Sequence, residues 1–101
     1  MNDKFVLSYQ AKEDLASIWQ FTYQRWSEIQ ADRYIETLFS YFRLLESQPQ
    51  IGKKVNYGTL HLQQFLAESH LVFYRRGTLH IEIVRVLHKN TNFIKLFELA
   101  S

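Results

Sequence analysis

The stretch Ser8–Tyr34, SYQAKEDLASIWQFTYQRWSEIQADRY, decides how this chain folds. Within it Ala11, Leu15, Ile18, Trp19 and Thr22 recur at three- and four-residue intervals. On a helix that spacing lines them up as one stripe. Ser8 stands just ahead, where its hydroxyl can accept a hydrogen bond from a free backbone N–H of the first turn. The pattern predicts a helix over about Tyr9–Arg25. A second start signal follows at once, because Ser27 with Gln30 three residues on has the capping-box pattern. It opens a helix over about Glu28–Ser47, with Ala31, Tyr34, Ile35, Leu38, Tyr41, Phe42 and Leu45 on the buried side. Two amphipathic helices with so short a join read as an antiparallel hairpin. Gln48-Pro49-Gln50-Ile51-Gly52 ends it, since Pro cannot continue a helix and Gly permits a turn.

On the N-terminal side, Lys4–Ser8 reads as a short strand with Phe5 and Leu7 on one face. On the C-terminal side the composition shifts to β-branched and aromatic residues. Leu60–Leu66, Ser69–Arg75 and Leu79–Leu87 read as strands. Arg76-Gly77-Thr78 reads as a tight hairpin between the last two, with Gly77 taking positive φ. The last strand alternates, with Leu79, Ile81, Ile83 and Leu87 on one face and His80, Glu82, Val84 and His88 on the other. One face is expected to meet the helices and the other to stay open. Lys53 and Lys54 fall in the preceding loop, as a solvated pair or as contacts for an anionic partner. Asn92–Leu99 reads as a short terminal helix or an extended arm. The expected fold is α+β in the order β-α-α-β-β-β, one domain over residues 1–101, with the helical hairpin packed on an antiparallel sheet.

Hydrophobic residues make up 47% of the 101 positions, enough to build a core without cross-links. No cysteine is present, which excludes a disulfide, a thiol nucleophile and a cysteine metal site, and fits a reducing cytoplasm. Met1-Asn2-Asp3-Lys4 leads into no long apolar run, so neither a signal peptide nor a membrane span is expected. Net charge is only +2, but it is unevenly spread. Residues 1–50 hold five Lys/Arg against seven Asp/Glu (−2), and residues 51–101 hold seven against three (+4). All four histidines are in the second half. That half is expected to face an anionic partner, through Arg75, Arg76, Arg85, His88 and Lys89.

Particular residues in this order resemble the ParE-type toxins of the RelE/ParE superfamily. The run Asp14-Leu15, Ile18-Trp19, Phe21-Thr22, Trp26, Gln30-Ala31 and Tyr34 is similar to the ParE hairpin. Pro49 and Gly52 fall at that family's Pro-x-x-Gly turn. Ser69–Arg75 resembles its central strand, and Ile81, Ile83 and Arg85–His88 resemble its last. Two departures lie in the second half. Gln63 and Gln64 stand where a basic residue is common, and Asn92 stands where an Asp is common. The resemblance implies the toxin of a type II toxin–antitoxin pair, which binds DNA gyrase, traps it on cleaved DNA and stops replication without chemistry of its own. It also implies a cognate antitoxin whose disordered segment folds onto the toxin. The groove between hairpin and sheet edge is the expected host, with Tyr9, Phe39, Tyr41 and Phe42 leaving apolar surface there and the tail from Phe93 filling or extending it.

The residues leave two other functions open. Arg75, Arg85, His88 and Lys89 are the set that could serve a ribosome-dependent mRNA endonuclease of RelE type, which needs an acid or base and cations for the transition state. Against that, Arg75 and Arg85 can pair across strands with Glu68 or Glu82. The other alternative is an inactive family member that only binds antitoxin. No metal or cofactor is expected: His80 and His88, eight residues apart on a strand, stand roughly 26 Å apart, and no Gly-rich phosphate loop exists. Direct nucleic-acid binding is compatible but not required. Trp19 and Trp26 sit at helical spacing beside Leu15 and Ile18, which assigns both to the core rather than to base stacking.

Overall fold

Both helices start where the serines dictate. Ser8 is extended, and its Oγ accepts from the Ala11 N–H at 3.0 Å, so α1 runs Tyr9–Arg25. Ser27 is extended too, and its Oγ accepts from the Gln30 N–H at 3.1 Å, so α2 runs Glu28–Ser47. These bounds match the expected ones. The computed structural model describes residues 5–100, so the reading of Met1–Lys4 lies outside the described residues. Ahead of α1 lies β1 (Val6–Leu7). After α2 and a 3-10 turn at Pro49–Ile51 come β2 (Lys53–Tyr57), β3 (Leu60–Ala67), β4 (His70–Arg76), β5 (Ile81–His88) and α3 (Phe93–Ala100).

The strands form one sheet in the order β1-β5-β4-β3-β2. The last four run antiparallel, and β1 joins the outer edge of β5 in parallel. The α+β architecture is the expected one, a helical hairpin on a largely antiparallel sheet. Three details differ from the sequence reading. Lys53 and Lys54 lie in an added edge strand rather than a loop. The β4–β5 connection spans four residues, and Gly77 is not at positive φ; its need is space, since a Cβ there would meet the His80 carbonyl oxygen at 2.7 Å. Gly58, in the β2–β3 turn, is the glycine at positive φ (64°).

The third difference is a β-bulge. Phe73 pairs with Arg85 but Tyr74 pairs with Ile83, so Val84 is an extra residue. Strict alternation along β5 therefore breaks. Ile81, Ile83 and Val86 join the core under the helices, with Ala11, Leu15, Ile18, Leu38, Phe42 and Leu45. Leu87 drops to the opposite face, with Leu62 and Phe73. That face is not open. Helix α3 covers it through Phe97, stacked on Tyr57 at 5.1 Å, and Phe93, 5.3 Å from the Phe73 ring. The sheet is thus sandwiched between a large helical layer and a small one.

Where α2 hands over to β2, a buried hydroxyl organises the turn. Tyr74 is fully buried. Its Oη donates to the Pro49 carbonyl at 2.7 Å and accepts from the Gly52 N–H at 2.9 Å. Gln63 Nε2 donates to the same two carbonyl-bearing residues, Pro49 at 2.8 Å and Gly52 at 3.1 Å. Gly52 is required because a Cβ would run into the Tyr74 ring and hydroxyl. Tyr74→Phe leaves the Gly52 N–H without its partner in a buried site. It is expected to lower stability by about 1–3 kcal/mol, read as a lower urea midpoint at unchanged slope.

Candidate functional site

The charged side chains singled out from sequence do not share one surface. Arg85 is locked to α1. Its Nε and Nη2 donate to the two Asp14 carboxylate oxygens at 2.8 and 2.9 Å, and its Nη1 to Gln10 at 3.3 Å. Asp14 also accepts the Val86 N–H at 2.9 Å. The Asp14 carboxylate holds the Arg85 guanidinium above even its ordinary high pKa. This partner is neither of the glutamates expected. Arg75 does pair with Glu82, at 2.8 Å, on an exposed stretch of sheet. Arg76, next along the strand, lines a polar cleft together with Arg75, Lys54 and His61. His88 ends β5 and Lys89 follows it, its N–H donating to the Ser69 carbonyl at 2.9 Å.

The apolar residues expected to bind a partner disperse as well. Phe42 is 0% exposed and belongs to the core, so it offers no surface. Phe39 is partly buried against Phe5 and Phe42, and Tyr41 packs on Phe65 and donates to Glu68 at 2.8 Å. Phe93, the first residue of α3, packs on the opposite face of the sheet, away from the hairpin groove. Only Tyr9 of that set is widely exposed. Trp26, assigned to the core by spacing, is 71% exposed, because it follows the last turn of α1 and no sheet lies beneath it. Trp19 is half-buried on the hairpin flank, stacked on Tyr23 and donating to Asp32 at 2.9 Å.

An apolar groove of about 340 Å³ lies between α1 and the ends of β4 and β5. Ile18 and Phe21 form one wall and Val86 the other, with Asp14, His70 and His88 at the polar margins. Phe21 is 60% exposed. The sequence marks it only as part of the ParE-like hairpin and not as a site residue. The signal was there, since Phe21 continues the Ile18 stripe by three residues at a point where the helix outruns the sheet. His70 and His88 face each other across strands, ring centres 5.3 Å apart. The bulge puts them there by carrying His88 to the helix side. Tyr34 Oη lies 2.7 Å from His70 Nδ1 and also accepts the Ser69 N–H at 3.2 Å. Burial, and then the neighbouring His88, push the His70 pKa down to about 4, against a weaker pull from Asp14. His70 is therefore neutral at pH 7. Among the described residues no group of three or more His, Asp or Glu side chains is arranged to hold a metal, and no helix is long and apolar enough to cross a membrane.

The structure titled "Chromosomal ParDE TA system from P. aeruginosa" superposes with a TM-score of 0.70 over 86% of this chain and 98% of that one, at 14% identity. The family described as "ParE toxin of type II toxin-antitoxin system, parDE" matches residues 5–93. Toxin ParE1 of Caulobacter vibrioides is 36% identical over 88 residues, 87% of this chain and 91% of that protein. Toxin ParE1 of Mycobacterium tuberculosis is 34% identical over 90 residues, 88% and 92% respectively. The chain belongs to the ParE toxin family of type II toxin–antitoxin systems.

Two outcomes follow from the charges at the groove. Asp14→Ala strands Arg85 and an edge N–H together and is expected to cost about 2–4 kcal/mol. Arg75→Ala, which breaks an exposed pair, should cost less than about 1 kcal/mol. Urea unfolding of both variants checks the contrast. The unfolded chain protonates His70 below about pH 6.5, whereas the folded chain does so only near pH 4. Protons thus favour the unfolded state between those values, so stability falls as pH drops from 6.5 towards 4. His70→Gln should flatten that part of a melting-temperature profile.

Proposed function

We propose that this toxin acts in the cytoplasm by binding DNA gyrase and blocking it, and that its cognate antitoxin neutralises it by docking in the α1–β5 groove. One observation favours binding over RNA cleavage. Arg85, central to any cleavage set on the last strand, already donates two hydrogen bonds to Asp14 and one to Gln10. A guanidinium so engaged is not free to take up charge that develops on a phosphate. Arg75 is likewise committed, to Glu82. The set Arg75, Arg85, His88 and Lys89 therefore reads as scaffold and rim rather than as convergent acid, base and cation.

The groove suits an antitoxin segment that folds as it binds. Such a segment needs apolar pockets for its anchors, and Ile18, Phe21 and Val86 supply them. His88 and Lys89 at one end suit acidic side chains beside those anchors. This site replaces the Tyr9, Phe39, Tyr41, Phe42 and Phe93 surface, most of which is buried or lies elsewhere.

Purified gyrase should lose supercoiling activity when this protein is added, with no codon-specific mRNA cuts in cells that express it. Such cuts with supercoiling intact would overturn the gyrase reading. Phe21→Lys tests the groove. Because Phe21 is largely exposed, the fold should survive, while antitoxin affinity should fall about tenfold or more, as for an interface anchor. Unchanged affinity by calorimetry would remove the groove from the interface.

A further inference from the structure

At the other side of the sheet, a polar cleft of about 450 Å³ opens over the ends of β2, β3 and β4. Lys54, His61 and Arg76 line it, with Asn56, Gln63 and Arg75, whose charge is already paired with Glu82. Strand register gathers them: Lys54 pairs with Gln63 and Asn56 with His61, while Arg76 lies two residues beyond Tyr74, the partner of Gln63. Side chains two apart share a face. His61 Nδ1 sits 2.7 Å from Asn56 Oδ1, which fixes the imidazole. Among the described residues no carboxylate lines the cleft, and neither Lys54 nor Arg76 has an acidic partner. A lysine on the edge strand β2 has an ordinary use, keeping other strands away. Arg76 is on β4, an interior strand, and needs no such role.

We propose that this cleft binds the phosphodiester backbone of a nucleic acid, with Lys54 and Arg76 as phosphate ligands. An acidic peptide is the rival occupant. A peptide that orders on binding draws on apolar anchors, and Leu62 is the only apolar side chain in the lining. Phosphates need only charge and donors, and the flat guanidinium of Arg76 can grip one through two N–H groups. The inference is independent of gyrase, because it requires only this chain and an oligonucleotide.

Fluorescence anisotropy with a short labelled single-stranded DNA tests it, across a salt series. Binding at low salt should weaken with a log–log slope of about −0.7 per phosphate engaged. Lys54→Ala and Arg76→Ala should each make that slope shallower by about 0.7, and together they should cut affinity about tenfold or more. Lys12→Ala, an exposed lysine on α1, is the control for net charge and should change the slope little. RNA of the same sequence should bind within a few-fold, as backbone recognition requires. Amide shifts in the unmutated protein should cluster at Asn56, His61 and Arg76, which holds the test open if a variant folds poorly. Any of four results would overturn the proposal: no binding at low salt, equal losses from Lys12→Ala, a preference for RNA or DNA above tenfold, or polyglutamate binding through these residues while DNA does not bind.

Discussion

The outer edge of β5 is the constraint on which this structure turns. β1 pairs with only Glu82 and Ile83, so most of that edge would otherwise present bare N–H and C=O groups to solvent or to another strand. The first two turns of α1 and its cap close it instead. The Ser8 N–H donates to the Ile83 carbonyl at 3.0 Å, the Ser8 hydroxyl to the Val84 carbonyl at 2.8 Å, and Asp14 accepts from Val86. Ser8 thus caps a helix and closes a strand edge with one side chain. Because these bonds fix α1 in register with β5, its apolar stripe lands on Ile83 and Val86, and whatever extends past the sheet becomes the groove wall.

The bulge at Val84 belongs to the same device. An extra residue exposes one more carbonyl, and Ser8 is placed to satisfy it. Its effect reaches down the strand, because a one-residue slip exchanges the two faces. Before the bulge Ile81 and Ile83 face the helices; after it Val86 and His88 do, and Leu87 turns to α3. Without the slip, Leu87 would face α1 and His88 would face away. The His70–His88 pair and the groove both depend on that single inserted residue.

This explains what sequence could and could not reveal. The hairpin was legible because caps and stripes are local: Ser8, Ser27 and three- or four-residue spacing lie within a few turns of what they control. The bulge was not read, although alternation fails there: Arg85 falls on the face of Ile81 and Ile83, and Val84 and Val86 on that of Glu82. β2 was missed because Lys53-Lys54-Val55-Asn56-Tyr57 carries residues that strands disfavour, and only Val55 and Tyr57 reach the second core cluster. The second face was read as open because nothing local says that Phe93 and Phe97 return to cover it. Charge pairing was the least legible of all. Asp14 and Arg85 are 71 residues apart, and a list of cations cannot show which of them is already neutralised.

The two surfaces that remain lie diagonally across the sheet. The groove is at the start of β4 and the end of β5, and the cationic cleft is at the end of β4 beside β3 and β2. Two strand spacings and the length of β4 separate them, roughly 10 Å one way and 20 Å the other. A partner seated only in the groove would leave the cleft uncovered. If both surfaces contribute to toxicity, complete neutralisation requires a longer segment that runs around the helical layer, because Val72, Phe73 and Tyr74 of β4, which lie between the two surfaces, are fully buried. A shorter partner would have to act differently, by holding α1 and β5 rigid rather than by covering what the toxin uses.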